Sequence, residues 1–116
     1  MYKAKNISPM IPSFDIPKTV SFFTNLLDFK IVRDDKTYVI LCKDYSMVHI
    51  LRAGENTPEM EFYLEVDGID QLWNQIKDHL AGIKYKGPLE REYGMREIHI
   101  IIPETKTLIF IGQPMS

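Results

Sequence analysis

The sequence has a single cysteine, Cys42, among its 116 residues. One cysteine excludes an internal disulfide and any zinc site that uses several cysteines. Cys42 lies in the apolar run from Tyr38 to Lys43, which is typical of a buried strand. A free cysteine in such a strand usually behaves as a small apolar residue, so we predict a structural role for it.

Long apolar runs and an excess of positive charge are also missing. No apolar segment approaches the roughly 20 residues that cross a bilayer, and the N-terminus lacks a basic segment followed by an apolar one. Lys and Arg number 14 against 16 Asp and Glu, whereas nucleic-acid binders usually carry a concentrated basic surface. We therefore predict a cytoplasmic protein with no membrane and no nucleic-acid partner.

The motifs of covalent and phosphoryl-transfer catalysis are absent as well. The serines lack the glycine-flanked turn of a nucleophile elbow, and no glycine-rich phosphate loop is present. The apolar content of 45% is that of an ordinary globular protein. A chain of this length fits one domain, 1–116, whose halves are too small to be stable alone. We therefore expect the halves to share a core or to exchange elements between two chains.

One pattern occurs twice in this chain: a strand ending at an aspartate, an amphipathic helix, and three strand-like runs. The apolar residues of both helices recur with helical spacing; they are Ile16, Val20, Phe23 and Leu27, and then Ile69, Leu72, Trp73, Ile76 and Leu80. The duplication predicts an α+β fold with one module at about 1–54 and another at about 60–116. The space between the two sheets is a candidate pocket.

Turn residues and caps set the expected bounds of each element. In the first module, Asp15 is expected to cap a helix that ends near Asp28, with Pro17 in its first turn. The strands are expected at Lys5 to Phe14, Phe29 to Arg33, Tyr38 to Cys42 and Ser46 to Arg52. In the second module, Asp67 is expected to cap a helix from Gly68 to Leu80. Its strands are expected at Glu61 to Val66, Ile83 to Lys86, Met95 to Ile102 and Thr107 to Ile111, with a loop from Gly87 to Gly94 overhanging the pocket.

Strand alternation assigns side chains to two faces of each sheet. The face expected beneath the helices carries Ile7, Ile11, Phe62, Leu64, Val66, Ile98, Ile100, Leu108 and Phe110. The opposite face is expected to carry Ser8, Met10, Phe14, Met47, His49, Glu61, Tyr63, Glu65, Glu97, His99, Ile101 and Ile109. This second set mixes apolar groups with convergent polar ones, which favours a ligand site.

Four segments, in this order, resemble the vicinal oxygen chelate superfamily of glyoxalases, extradiol dioxygenases and bleomycin-resistance proteins. They are Phe14 to Val32, Phe62 to Asp70, Tyr93 to Glu97 and Ile102 to Phe110. The resemblance covers nearly the whole chain and implies two βαβββ modules that form a cupped, incomplete barrel. It also implies a site inside the cup, which is often completed by the second subunit of a homodimer.

Enzymes of that superfamily commonly hold a divalent metal through His and Glu side chains. The matching positions here are Ser8 (or Ile7, if the alignment slips by one), His49, Glu61 and Ile109. Because a catalytic metal needs about three protein ligands, Ser8 and Ile109 argue against a metal centre of the family type. We expect no metal and no cofactor, although His99 could join His49 and Glu61 in an altered site.

The resemblance therefore favours a protein that binds a small molecule without catalysis, most like the bleomycin-resistance type and acting by sequestration. The expected ligand-binding residues are Ser8, Met10, Met47, His49, Glu61, Tyr63, Glu97, His99 and Ile109. Carboxylates at Glu61, Glu65 and Glu97 favour a cationic ligand. Two alternatives stay open: a metal-dependent lyase, isomerase or dioxygenase with an altered ligand set, and a non-catalytic scaffold that acts through protein partners.

Overall fold

The computed structural model describes residues 1–115 as two similar halves. The first half contains β1 (Met10–Ser13), α1 (Ile16–Ser21), β2 (Lys30–Asp34), β3 (Tyr38–Lys43) and β4 (Ser46–Arg52). The second contains β5 (Met60–Glu65), α2 (Ile69–Ile76), β6 (Tyr85–Glu90), β7 (Met95–Ile101) and β8 (Thr107–Pro114). Among these residues no helix is long and apolar enough to cross a membrane.

Each half forms one four-stranded sheet, with strand orders β1-β4-β3-β2 and β5-β8-β7-β6. In both sheets the first strand pairs in parallel with the last strand of its module, and the remaining pairs are antiparallel. The helix between the first two strands makes that parallel pairing possible. The prediction of two βαβββ modules that do not close into a barrel is confirmed.

Helix α1 begins where the sequence predicted. The Asp15 side chain accepts a hydrogen bond from the Lys18 backbone N–H at 3.2 Å, and Pro17 lies in the first turn. From Phe22 to Leu26 the helix widens into a π-helical turn, so it stops just before the expected Asp28. The wider turn keeps Phe22 and Phe23 buried in the core.

Helix α2 is capped by a different residue from the one predicted. The residue at the N-cap position is Gly68, with φ of 84°. The side chain that accepts the free N–H groups of the helix start belongs to β8, and not to Asp67. The side-chain oxygen of Gln113 accepts the backbone N–H groups of Gly68 and Ile69, both at 2.9 Å. The α-helix ends at Ile76, and the 3₁₀ turn Lys77–His79 supplies the rest of the expected helix.

The strand register fixes which side chains share a face. Phe62, Ile109 and Ile100 lie opposite one another on the face that packs against the core, here called the covered face. Tyr63, Phe110 and His99 lie opposite one another on the other face of this sheet, here called the open face.

Three face assignments from the sequence were therefore wrong. Ile109 is fully buried on the covered face, whereas Leu108 and Phe110 lie on the open face. The run from Thr107 to Ile111 is apolar at nearly every position, so its alternation carries no contrast from which to choose a face.

The N-terminal segment also departs from the expected strand. Strand β1 begins only at Met10, so Ser8 and the exposed Ile7 precede it. The Pro9 carbonyl still accepts the His49 N–H at 3.0 Å. Ser8 bonds only to Asn6, at 3.4 Å, so it lies outside the strand on which a site role was predicted.

The two halves pack against each other through α1 and the turn before β8. The Thr19 hydroxyl donates to the Pro103 carbonyl at 2.8 Å, and the Phe14 N–H donates to the Glu104 carbonyl at 2.8 Å. The buried apolar residues of both halves form one cluster. Each buried Ile or Phe in it contributes roughly 1.5–3 kcal/mol relative to exposure.

Candidate functional site

Glu97 is the most unusual side chain of the structure, because it is a fully buried carboxylate. It lies in β7 on the open face of the second sheet, opposite Gly112 of β8. Burying a charge is costly unless hydrogen bonds replace its water. Its neighbours must therefore supply donors.

Three donors surround this carboxylate. Tyr63 of β5 donates to one Glu97 oxygen at 2.8 Å, and Tyr93 of the β6–β7 turn lies 2.7 Å from both oxygens. His99 Nε2 lies 2.7 Å from the oxygen Oε1. A carboxylate has about four acceptor positions, so these contacts occupy Glu97. We call Glu97, His99, Tyr63 and Tyr93 the Glu97 cluster.

The cluster controls the ionisation of its members. Burial alone would raise the pKa of Glu97, but the hydrogen bonds from His99, Tyr93 and Tyr63 outweigh it, and the net pKa is lowered. Burial and the Glu97 carboxylate raise the pKa of Tyr63, and the hydrogen bond to Glu97 is the main cause that raises the pKa of Tyr93. The carboxylate is therefore ionised at neutral pH and both phenols are protonated.

Gly112 makes the contact between Tyr63 and Glu97 geometrically possible. A Cβ atom at position 112 would lie 1.9 Å from the Tyr63 hydroxyl oxygen and 2.8 Å from its Cζ. Tyr63 crosses directly over this glycine to reach Glu97 on the strand beyond. No other residue type leaves that path open.

A row of three aromatic rings, Tyr63, Phe110 and His99, crosses the open face, and two of these rings belong to the Glu97 cluster. Tyr63 and Phe110 have ring centroids 6.3 Å apart and planes 15° apart, and His99 lies 4.3 Å from Phe110. Glu61 and Glu65 lie on either side of Tyr63 in β5, and both are exposed. The open face therefore combines aromatic surface with two free carboxylates.

The first sheet carries a smaller polar pair in the corresponding place. The Tyr38 hydroxyl lies 2.8 Å from His49 Nδ1, with the two rings edge to face. Met10 lies directly opposite His49 in the parallel pair. Met10 is 47% exposed, so a ligand can reach this surface.

The predicted site residues thus fall into three groups. Tyr63, Glu97 and His99 meet in the Glu97 cluster, with Glu61 on the same face. Met10, Met47 and His49 share the first sheet, and Ser8 and Ile109 lie elsewhere, as described above. Met47, Tyr63 and Ile109 nevertheless line one small cavity of about 130 Å³ between the halves.

Tyr93, Phe110 and Gly112 were missed by sequence reasoning. The loop expected to overhang the pocket does supply Tyr93, although β6 extends to Glu90 and shortens that loop. Phe110 was assigned to the wrong face. Gly112 gave no local signal, because its role depends on a tyrosine 49 positions earlier in the chain.

The residues at the metal positions of the vicinal oxygen chelate superfamily do not fit a metal. Ser8 precedes the strand, and Ile109 has no donor atom and lies on the covered face. Within residues 1–115, no three His, Cys, Asp or Glu side chains are grouped closely enough to hold an ion. Within residues 1–115 of a single chain, His49, Glu61 and His99 are therefore not brought together as a group of three.

Two larger cavities flank these residues. One, of about 680 Å³, lies at the Glu61 end of the open face and is lined by Ile101, Lys106 and Leu108 as well as Glu61. The other, of about 630 Å³, lies between the halves, from Leu27 to Gln75. The first adjoins the open face, and its volume is typical of small-molecule sites.

Comparison with solved structures shows that the fold is that of bleomycin-resistance proteins. No protein-family model matches the chain, and no curated protein is detectably similar. A bleomycin resistance determinant encoded on the transposon Tn5 is 22% identical, with a TM-score of 0.78 over 96% of this chain and 98% of that one.

Two further solved structures share this fold. A bleomycin-binding protein from Streptomyces verticillus, complexed with copper(II)-bleomycin, is 21% identical, with a TM-score of 0.74 over 96% of this chain and 97% of that one. A glyoxalase/bleomycin resistance protein/dioxygenase from Nocardioides is 12% identical, with a TM-score of 0.76 over 100% of this chain and 87% of that one. The chain thus shares its fold with a bleomycin-binding protein and with a protein described as a glyoxalase/bleomycin resistance protein/dioxygenase.

Proposed function

We propose that this protein binds a small, aromatic, cationic molecule on the open face of its second sheet and acts by sequestration. The observation that carries the proposal is the combination of a partly exposed aromatic row with two free carboxylates, Glu61 and Glu65. Aromatic faces attract cations, and the carboxylates add charge complementarity. The bleomycin-binding protein that shares the fold supports a binding role.

Glu97, which the sequence predicted as a ligand-binding residue, has a supporting role in this proposal. Its acceptor positions are occupied by the chain's own donors, so it holds Tyr63 and His99 in place and does not contact the ligand. Glu61 and Glu65 are the carboxylates that face a ligand. Met10, Met47 and His49 would contact the ligand if a second subunit brings a first sheet over the second.

We further propose a homodimer as the binding unit. A single chain leaves Met10, Tyr63 and Ile101 of its open faces more than a third exposed. A second copy would cover these apolar groups and enclose the ligand. Sequestration needs such an enclosed, complementary pocket and no stabilisation of a transition state.

A charge-matched screen tests the proposed ligand class. Aromatic cations, neutral aromatics and aromatic anions of equal size are titrated into ¹⁵N-labelled protein, and amide shifts map the contacts. The proposal expects the cations to bind at Tyr63, Phe110 and Glu61, and Glu61→Gln with Glu65→Gln to weaken them. The same double substitution at exposed Glu55 and Glu92 is the control. The proposed ligand class is contradicted if all three classes bind equally. The proposed site is contradicted if the amide shifts are confined to the cavity of about 630 Å³ between the halves.

A further inference from the structure

His99 is held by the Glu97 cluster so that only one ring nitrogen is left for a ligand. A carboxylate can only accept hydrogen bonds, so His99 Nε2 must carry the proton that lies between it and Glu97 Oε1, at 2.7 Å. Nδ1 then carries the lone pair whenever the ring is neutral. None of the hydrogen bonds within residues 1–115 involves that nitrogen.

The position of the ring makes this lone pair significant. The His99 side chain is only 11% exposed, and it lies in the aromatic row against Phe110. Nδ1 is not one of the fully buried unpaired side-chain atoms of the described residues, which are Arg91 Nε and Thr107 Oγ1, so it still reaches the surface on which a ligand would lie. A ligand lying along the row can therefore donate a hydrogen bond to this nitrogen in place of water.

We propose that Nδ1 of His99 is the polar anchor of the open-face site and accepts a hydrogen bond from an N–H or O–H group of the ligand. This inference rests on the proposed function and narrows it, from aromatic cations in general to those with a donor hydrogen beside the ring. Amidinium, guanidinium and protonated heteroaromatic groups meet that description. Quaternary ammonium ions do not.

The anchor makes binding sensitive to pH. Protonation of the ring converts Nδ1 from an acceptor into a donor, so the ligand loses its hydrogen bond and meets a second cation. Affinity should therefore fall when acidification protonates this ring. The titratable groups that face this ring or share its face are Glu97 of β7, Tyr63, Glu61 and Glu65 of β5, Tyr93 of the turn, and Lys86 of β6.

These neighbours do not reproduce the same effect. Both phenols remain protonated, because Glu97 raises the pKa of each. The pKa of Glu97 is lowered, so it keeps its charge above pH 4.5. Lys86 lies opposite His99 on β6.

The probes for the test are benzamidinium and N,N,N-trimethylanilinium. Both are aromatic cations that keep their charge across the pH range of the test, but only benzamidinium has N–H donors. Amide shifts of the labelled protein give the dissociation constant of each probe at about pH 5 and pH 8. We expect benzamidinium to bind about three- to tenfold more weakly at the lower pH. Trimethylanilinium meets the same ring charge but loses no hydrogen bond, so it should weaken by a clearly smaller factor.

A substitution separates the contribution of the Nδ1 hydrogen bond from that of the aromatic contact. His99→Phe keeps the aromatic contact with Phe110 and removes the acceptor, so benzamidinium should bind more weakly and lose its pH dependence. His79→Phe is the matched control, because His79 is exposed in the 3₁₀ turn after α2. Long-range ¹H–¹⁵N spectra of the wild-type ring give a readout that needs no variant. They should show a protonated Nε2 and an unprotonated Nδ1 at high pH.

The outcomes separate the two proposals. Equal, pH-independent binding of both probes overturns the anchor and leaves the aromatic-cation site standing. Failure of both probes to bind overturns that ligand class and the anchor with it. A ring protonated on Nδ1 at high pH overturns the anchor whatever the probes do.

Discussion

The contact between Tyr63 and Gly112 shows how one missing side chain organises a site. Gly112→Ala would place a methyl group 1.9 Å from the Tyr63 oxygen, so the tyrosine must move and Glu97 loses a donor. We expect a loss of about 1–3 kcal/mol in the free energy of unfolding, measured by chemical denaturation. Gly54→Ala is the control, because nothing lies within 4 Å of the added Cβ. If Tyr63→Leu costs as much in the Gly112→Ala protein as in the wild type, the proposed crossing is wrong.

The buried charge of Glu97 predicts a specific response to acid. Its folded-state pKa lies below its ordinary value of 4.5, so its stabilising contribution is present above that pH and is lost as pH falls through the folded value. Glu97→Gln should cost about 1–3 kcal/mol at neutral pH and should flatten the fall in stability below pH 4.5. Unfolding measured from about pH 6 to pH 3 checks both effects. Glu55→Gln, at an exposed position, is the control and should follow the wild type. If Glu97→Gln loses stability below pH 4.5 as steeply as the wild type, Glu97 is not the source of the acid sensitivity.

The tyrosines of the cluster give an independent signal at high pH. The pKa of Tyr63 is raised by burial and by Glu97, so it should ionise after the ordinary phenols of the chain. The folded state then holds a proton that the unfolded state releases near pH 10, so stability falls as pH rises above that value. Absorbance titration of the folded protein should show late phenols, and Tyr63→Phe should remove the contribution of one of them. Tyr45→Phe, at a fully exposed position, should leave the late phase intact.

At the scale of single elements, α2 depends on a residue from the other end of its module. Gln113 of β8 accepts the first two N–H groups of the helix. Gln113→Ala should therefore lower the free energy of unfolding by about 0.5–2 kcal/mol, the usual range for a lost cap. Asn74→Ala, on an exposed helix position, should be neutral or stabilising. A neutral Gln113→Ala would mean that water caps the helix equally well.

The same helix shows where sequence reasoning on elements succeeds and where it stops. The apolar spacing from Ile69 to Leu80 located the helix, because amphipathic periodicity is a local property. The cap was misassigned to Asp67, because Gln113 lies 44 positions beyond Ile69 and reaches it only through the fold. Likewise, the alternation in β5 and β7 placed Tyr63, Glu97 and His99 correctly on one face, whereas the uniformly apolar β8 did not. An alternation of polar and apolar residues within one element can be read from the sequence. A contact between residues that are distant in the chain, such as Gln113 and Ile69, cannot.

At the scale of the whole molecule, the duplicated module predicts that ligand binding and subunit association are coupled. Each half presents one open face, and the covered faces of both halves are already used in a single core. The open faces are thus the apolar surfaces still available for association. A ligand held between two subunits would stabilise the dimer by mass action.

The open face of the second sheet should therefore be a subunit interface. Light scattering coupled to size exclusion should give twice the 13.6 kDa chain mass, because a second copy removes exposed apolar surface from water. Ile101→Asp, on the open face, should raise the dimer dissociation constant about tenfold or more, since it puts a charge into that contact. Ile31→Asp is the matched control: Ile31 is 48% exposed against 40% for Ile101, but it lies on β2 of the first sheet, in register with buried Leu41. A chain that stays monomeric at every concentration, or a dimer weakened equally by both substitutions, would show that this face is not the interface.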